Sequence, residues 1–165
     1  MRKNVTSLLL IALLLMMISM PAMAAQAVQK VTASVYPLTP NTASQYTIGF
    51  YTSSTGALKG GSDKITIIFP LGTTLPSSIG SGKVMVNGES ISSSDLDTDD
   101  NILTIELPND INIPAGGYVG IIIPQSAGIK TSTQAGSQYI KVSTTRDSVG
   151  TSSAFTLEGT KIPIL

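Results

Sequence analysis

Through most of this chain, apolar and polar residues alternate one by one in runs too short for anything but β-strands. Val31-Thr32-Ala33-Ser34-Val35 alternates and stops before Pro37, and Tyr46-Thr47-Ile48-Gly49-Phe50 follows the same rule. Lys64 to Phe69 ends at Pro70, Ile102 to Leu107 at Pro108, and Tyr118 to Ile123 at Pro124. Lys83 to Val86 ends at Asn87-Gly88, a dipeptide suited to the left-handed backbone of a tight hairpin turn. Tyr139 to Val142 and Ala154 to Leu157 complete the set, and Ile162 to Leu165 would add a last short strand. Successive side chains on a strand point to opposite faces, so each run offers one apolar and one polar face. Proline stands at strand ends, where its missing N–H leaves no ladder acceptor unpaired. No stretch keeps a helical period; Pro76 to Ile79 is the one place where a single helical turn is expected. The fold class that follows is all-β, a single sandwich of about 7–9 antiparallel strands.

The first 24 residues break the pattern. Arg2 and Lys3 precede the apolar run Leu8 to Met20, Pro21 interrupts it, and Ala22-Met23-Ala24 has the small-x-small form of a signal-peptidase site. An apolar run of about 13 residues is short of the roughly 20 that a bilayer span needs. Residues 1–24 are therefore expected to be a cleaved signal peptide, and residues 25–165 one domain that is secreted, extracellular or at the cell surface. Ala25-Gln26-Ala27 offers a second cleavage site.

Composition removes whole classes of chemistry. The 165 residues contain no Cys, His or Trp. Disulfides, thiolate or imidazole catalysis and Cys/His metal sites have no residues to use. Ten basic residues balance ten acidic ones, and loss of Arg2 and Lys3 leaves 8 against 10, a net charge of −2. Nothing there would hold a phosphate backbone, so nucleic acid is not an expected partner. A membrane is not one either once the leader is gone, because no basic amphipathic helix is present. A glycosidase-like acid pair would have to come from residues such as Asp63 and Glu106, which nothing in the sequence brings together. No enzymatic activity is expected.

Four local features remain. Asp95, Asp97 and Asp99 alternate, with Glu106 at the twelfth position counted from Asp95, the carboxylate spacing of a calcium loop. The pattern departs at the sixth position, where Asp100 replaces the usual Gly, and a strand rather than a helix follows. The alternative is a polar loop with hydrated carboxylates; calcium is the only cofactor the sequence suggests. Tyr36, Tyr46, Tyr51, Tyr118 and Tyr139 could build a sugar-stacking platform, against the simpler expectation of core and rim packing. Lys64, Asn101 and Glu106 are the trio that an intramolecular isopeptide bond would require. The apolar end Ile162-Pro163-Ile164-Leu165 would either cover one end of the sandwich or form a contact surface.

Several of these runs also carry a family likeness. Tyr46 to Phe50, Gly56-Ala57-Leu58, Asp63 to Thr73, Val84 to Gly88, Leu103 to Pro108, Ile113 to Gly117, Ala127 to Lys130 and Tyr139 to Thr144 resemble an immunoglobulin-like module of bacterial and archaeal cell-surface proteins. The resemblance spans nearly all of residues 25–165. It implies an immunoglobulin-like sandwich and a structural or adhesive role in S-layer-like or wall-associated assemblies. Its expected partners are a cell-surface or extracellular protein or polysaccharide. The near-zero charge and the apolar end Ile162–Leu165 suggest the alternative of a self-assembling extracellular filament or surface-layer subunit, whose copies would pair by strand exchange.

Overall fold

The structure is a computed structural model and describes residues 25–158. The proposed signal peptide and the apolar end Ile162–Leu165 lie outside the described residues. The strands are, in chain order, β1 (Gln29–Tyr36), β2 (Gln45–Tyr51), β3 (Lys64–Ile68), β4 (Met85–Val86), β5 (Glu89–Ser90) and β6 (Leu96–Asp99). After them come β7 (Ile102–Glu106), β8 (Tyr118–Ile123), β9 (Gly136–Gln138), β10 (Lys141–Thr144), β11 (Gly150–Thr151) and β12 (Phe155–Leu157). Two five-stranded sheets face each other, ordered β1-β2-β8-β4-β5 and β11-β10-β3-β7-β6, and β12 pairs separately with β9. Every strand pairing is antiparallel.

The core is the set of residues that alternation turns inward. Tyr46, Ile48 and Phe50 of β2 and Val119, Ile121 and Ile123 of β8 meet Ile65 and Ile67 of β3 and Leu103 and Ile105 of β7. Tyr46 crosses the gap between the sheets: its ring meets Phe69 edge-on, with centroids 5.1 Å apart. Burial on this scale is the main favourable term in folding a chain without cross-links.

All eight strand regions expected within residues 25–158 are present. The four that alternation missed, β5, β6, β9 and β11, are short and polar, so they carry no inward apolar stripe. β6 lies where a loop is the simpler expectation. It forms because Asp100 takes a positive φ of 52°, which closes a tight hairpin and zips Leu96–Asp99 onto β7. Pro76–Ile79 makes no helical turn; its chain is open and runs beside β6, where the Thr98 hydroxyl donates to the Pro76 carbonyl at 3.0 Å.

Sheet edges are blunted. β5 is two residues long and carries Glu89, and β6 exposes Asp97 and Asp99. β1 is bridged through Ala27 to Ser148 beside β11. Among the described residues, no helix is long and apolar enough to cross a membrane.

The two ends of the sandwich differ. At one end the segments 37–44, 70–75 and 129–134 interlock: Asn41 N–H donates to Ser132 O, Thr74 and Lys130 exchange two backbone bonds, and the Ser132 hydroxyl donates to Leu71 O. At the other end, buried carboxylates tie segments 52–63 and 144–149, and backbone bonds such as the Leu58–Ile113 pair hold segment 107–117 to the first of them.

Candidate functional site

The tied end holds two buried aspartates. Asp147 accepts from the Ser53 backbone N–H at 2.8 Å and from the Ser53 hydroxyl at 2.6 Å, joining two turns 94 residues apart. Gly56 is required beside it, because a Cβ there would fall on the Asp147 carboxylate. Asp63 accepts from Lys59 N–H at 2.8 Å, the Thr145 hydroxyl at 2.7 Å and Arg146 Nε at 2.9 Å. Burial pushes the Asp63 carboxyl up, but these three donors and the Arg146 charge outweigh it and hold the group below the ordinary carboxylate range.

That shift fixes a sign. A carboxyl whose pKa is lower folded than unfolded adds stability above the unfolded pKa of about 3.9, and the gain fades as pH falls through the folded value. Wild type should therefore lose melting temperature below about pH 4. Asp63→Asn should start lower and show a flatter acid limb. Thermal melts across the acid range check it; parallel curves for the two proteins would remove Asp63 as a source of the acid sensitivity.

The calcium-loop residues are spread along the β6–β7 hairpin. Asp95 ends a short 3-10 turn, Ser93–Asp95; Asp97 and Asp99 stand on the exposed side of β6, and Asp99 pairs with Ile102. Glu106 is at the far end of β7, 3.0 Å from the Lys64 ammonium. Among the described residues, no three acidic side chains come together as metal ligands would. The isopeptide trio is likewise split. Lys64 and Glu106 pair at one end of β3 and β7, while Asn101 donates to the Phe69 carbonyl at the other. Asp63 and Glu106 do not form an acid pair, as each is bound to its own cation.

The tyrosines divide by parity. Tyr46 is buried in the core, whereas Tyr36, Tyr51, Tyr118 and Tyr139 are exposed. Tyr118 lies across the paired Gly49 and Gly120 on the outer face of the first sheet, where a Cβ at Gly49 would come within 2.7 Å of its hydroxyl. Tyr51 meets it edge-on at 5.3 Å, and the Lys30 ammonium sits 5.4 Å from the Tyr51 ring centroid.

The interlocked end carries the two most exposed large apolar side chains, Leu71 at 80 % and Tyr36 at 78 %, and Tyr139 there is 50 % exposed. Leu71 and Tyr139 line one shallow cleft of about 510 Å³ together with Ile68, Pro70 and the charged Lys141. The loops behind it are uncharged over Tyr36–Phe50, Ile65–Gly82 and Thr131–Ile140. The sequence marks Tyr36 and Tyr139 as candidate surface rings but not Leu71, which lies past the end of β3, where alternation does not assign a face.

No protein-family model matches the chain, and no curated protein matches it. Among solved structures, BslA, described as a bacterial hydrophobin, superposes with a TM-score of 0.52 at 13 % identity, covering 78 % of this chain and 97 % of that one. At that identity the likeness is one of fold. A family GH18 chitinase from Chromobacterium violaceum aligns with a TM-score of 0.34 at 19 % identity, over 81 % of this chain and 19 % of that one, which is too weak to carry an argument.

Proposed function

We propose that this chain is a secreted, non-catalytic structural protein of the cell exterior, an immunoglobulin-like sandwich that adheres through its interlocked, charge-poor end. The observation that carries the reading is the exposure of Leu71, Tyr36 and Tyr139 at that one end, backed by long uncharged runs in its loops. Exposed apolar groups gathered in one place, rather than scattered singly, mark a contact surface. The leader-like first 24 residues and a fold shared with a protein described as a bacterial hydrophobin support the same assignment. Blunted sheet edges favour adhesion through side chains over strand exchange between copies.

Pendant-drop tensiometry tests the reading. The secreted protein should lower air–water surface tension more than an unrelated β-sandwich of equal size. Leu71→Lys with Tyr139→Lys should remove most of that activity. It forfeits roughly 3 kcal/mol of apolar burial at the interface, or over a hundredfold in adsorption constant. Val149→Lys, at the opposite end, should leave it unchanged. Equal adsorption by wild type and the double variant would dismiss the loop end as the contact surface.

A further inference from the structure

A second cleft, of about 370 Å³, opens between the β6–β7 hairpin and the segment that follows Gly72. We infer that it binds a neutral sugar residue. The inference goes beyond the adhesive reading and holds whether or not the loop end adsorbs to apolar surfaces.

The lining suits that ligand class. Thr73, Thr74, Ser77 and Thr98 bring four hydroxyls, Leu75 and Pro76 an apolar wall, and Asp100 one carboxylate. Hydroxyls both donate and accept, as sugar hydroxyls do, and a carboxylate can accept from two neighbouring hydroxyls at once. The apolar wall suits the C–H face of a pyranose ring. No basic residue lines the cleft, which disfavours phosphate or carboxylate ligands. A single lining carboxylate is too few for the six to eight oxygens that calcium takes. The volume falls at the lower end of small-ligand sites, about 300–1,000 Å³.

An independent observation points to a missing partner. Thr73 is only 6 % exposed, and its Oγ1 is the one buried side-chain oxygen among the described residues without a hydrogen-bond partner. Folded proteins leave few such groups unpaired, and each needs an explanation. That oxygen has almost no accessible surface, so a ligand hydroxyl would pair with it once the Thr73 side chain turns toward the cleft.

Apart from the Thr73 side chain, the walls are fixed before any ligand arrives. Thr98 is registered opposite Leu103 on β7 and donates to Pro76 O, while Thr74 is held to Lys130 by two backbone bonds. Asp100 sits at the hairpin turn with φ +52°, a conformation that Asp and Asn tolerate better than most residues. A preformed site loses little freedom on binding.

The test is a backbone amide NMR titration of the secreted protein with glucose, galactose and N-acetylglucosamine, and with a soluble oligosaccharide of each. The expected result is saturable shifts at Thr73–Ser77, Thr98 and Asp100 with at least one sugar, at a dissociation constant of about 1 mM or tighter. Shifts with the monosaccharide alone mean a free sugar suffices; much tighter oligosaccharide binding means a chain is held. Either supports the site. Thr73→Val and Asp100→Asn should each weaken binding about tenfold. Thr73→Val keeps the shape and removes an unpaired oxygen, so its melting midpoint should hold or rise. Asp100→Asn suits the positive φ. No saturable shift with any sugar, shifts at Tyr51 and Tyr118 instead, or unchanged affinity in both variants would overturn the inference. Should a variant not fold, the wild-type shift map decides.

Discussion

Phe69→Ala is expected to lower the free energy of unfolding by about 4 kcal/mol and the melting midpoint by roughly 15 °C. Phe69 follows β3 in one sheet and Tyr46 belongs to β2 in the other, so their edge-on contact at 5.1 Å spans the sandwich. Both rings are buried, and truncation would open a void that the strands on either side cannot close without breaking register. Burial also pushes the Tyr46 phenol above its usual range, so Tyr46 should resist ionisation while the fold lasts. Urea denaturation followed by circular dichroism measures the loss. Leu71→Ala, two residues on and exposed, should cost under about 0.5 kcal/mol. Similar losses for both would mean that the inter-sheet contact is not where stability resides.

Asp147→Ala is the second large effect, with an expected cost of about 3–4 kcal/mol. The change strands the Ser53 N–H, leaves the Ser53 hydroxyl only its contacts with Thr55, and removes the acceptor that ties the turn after β2 to the turn after β10. A charged acceptor in a buried place is worth more than a neutral one. Asp147→Asn, which retains one carbonyl oxygen, should fall between wild type and Ala. Hydrogen exchange adds a local readout: the Ser53 amide should be protected in wild type and exchange much faster in Asp147→Ala. Full protection in the Ala variant would show that another group had replaced the carboxylate.

The residues that were legible from sequence are those whose environment is decided locally. Tyr46, Ile48 and Phe50 point inward and Tyr51 outward because Cβ direction flips at every step along a strand. The prolines at 70, 108 and 124 marked strand ends for an equally local reason. The acidic run was ambiguous. Asp95, Asp97 and Asp99 alternate in both a metal loop and an exposed edge strand, and only pairing with β7 separates the two. Asp63 and Glu106 could be named as acids, but their bonds to Arg146 and Lys64 could not be read from spacing. Ser53 carries no local mark of its 94-residue reach to Asp147. Leu71 and the hydroxyls around Thr73 sit in a stretch of Gly, Pro, Ser and Thr that reads as plain connection.

By itself, the order of amino acids determined that this chain is built of strands, where most of them stop and which side chains they bury, since each of these depends on a residue and its immediate neighbours. Tertiary structure alone decided which strands neighbour one another, that one end is tied by buried carboxylates while the other exposes Leu71 and Tyr139, and that a hydroxyl-lined cleft opens beside β6. Those features arise where segments far apart in the chain meet, and the energy of such meetings depends on the packing of the whole sandwich rather than on any run of neighbouring residues.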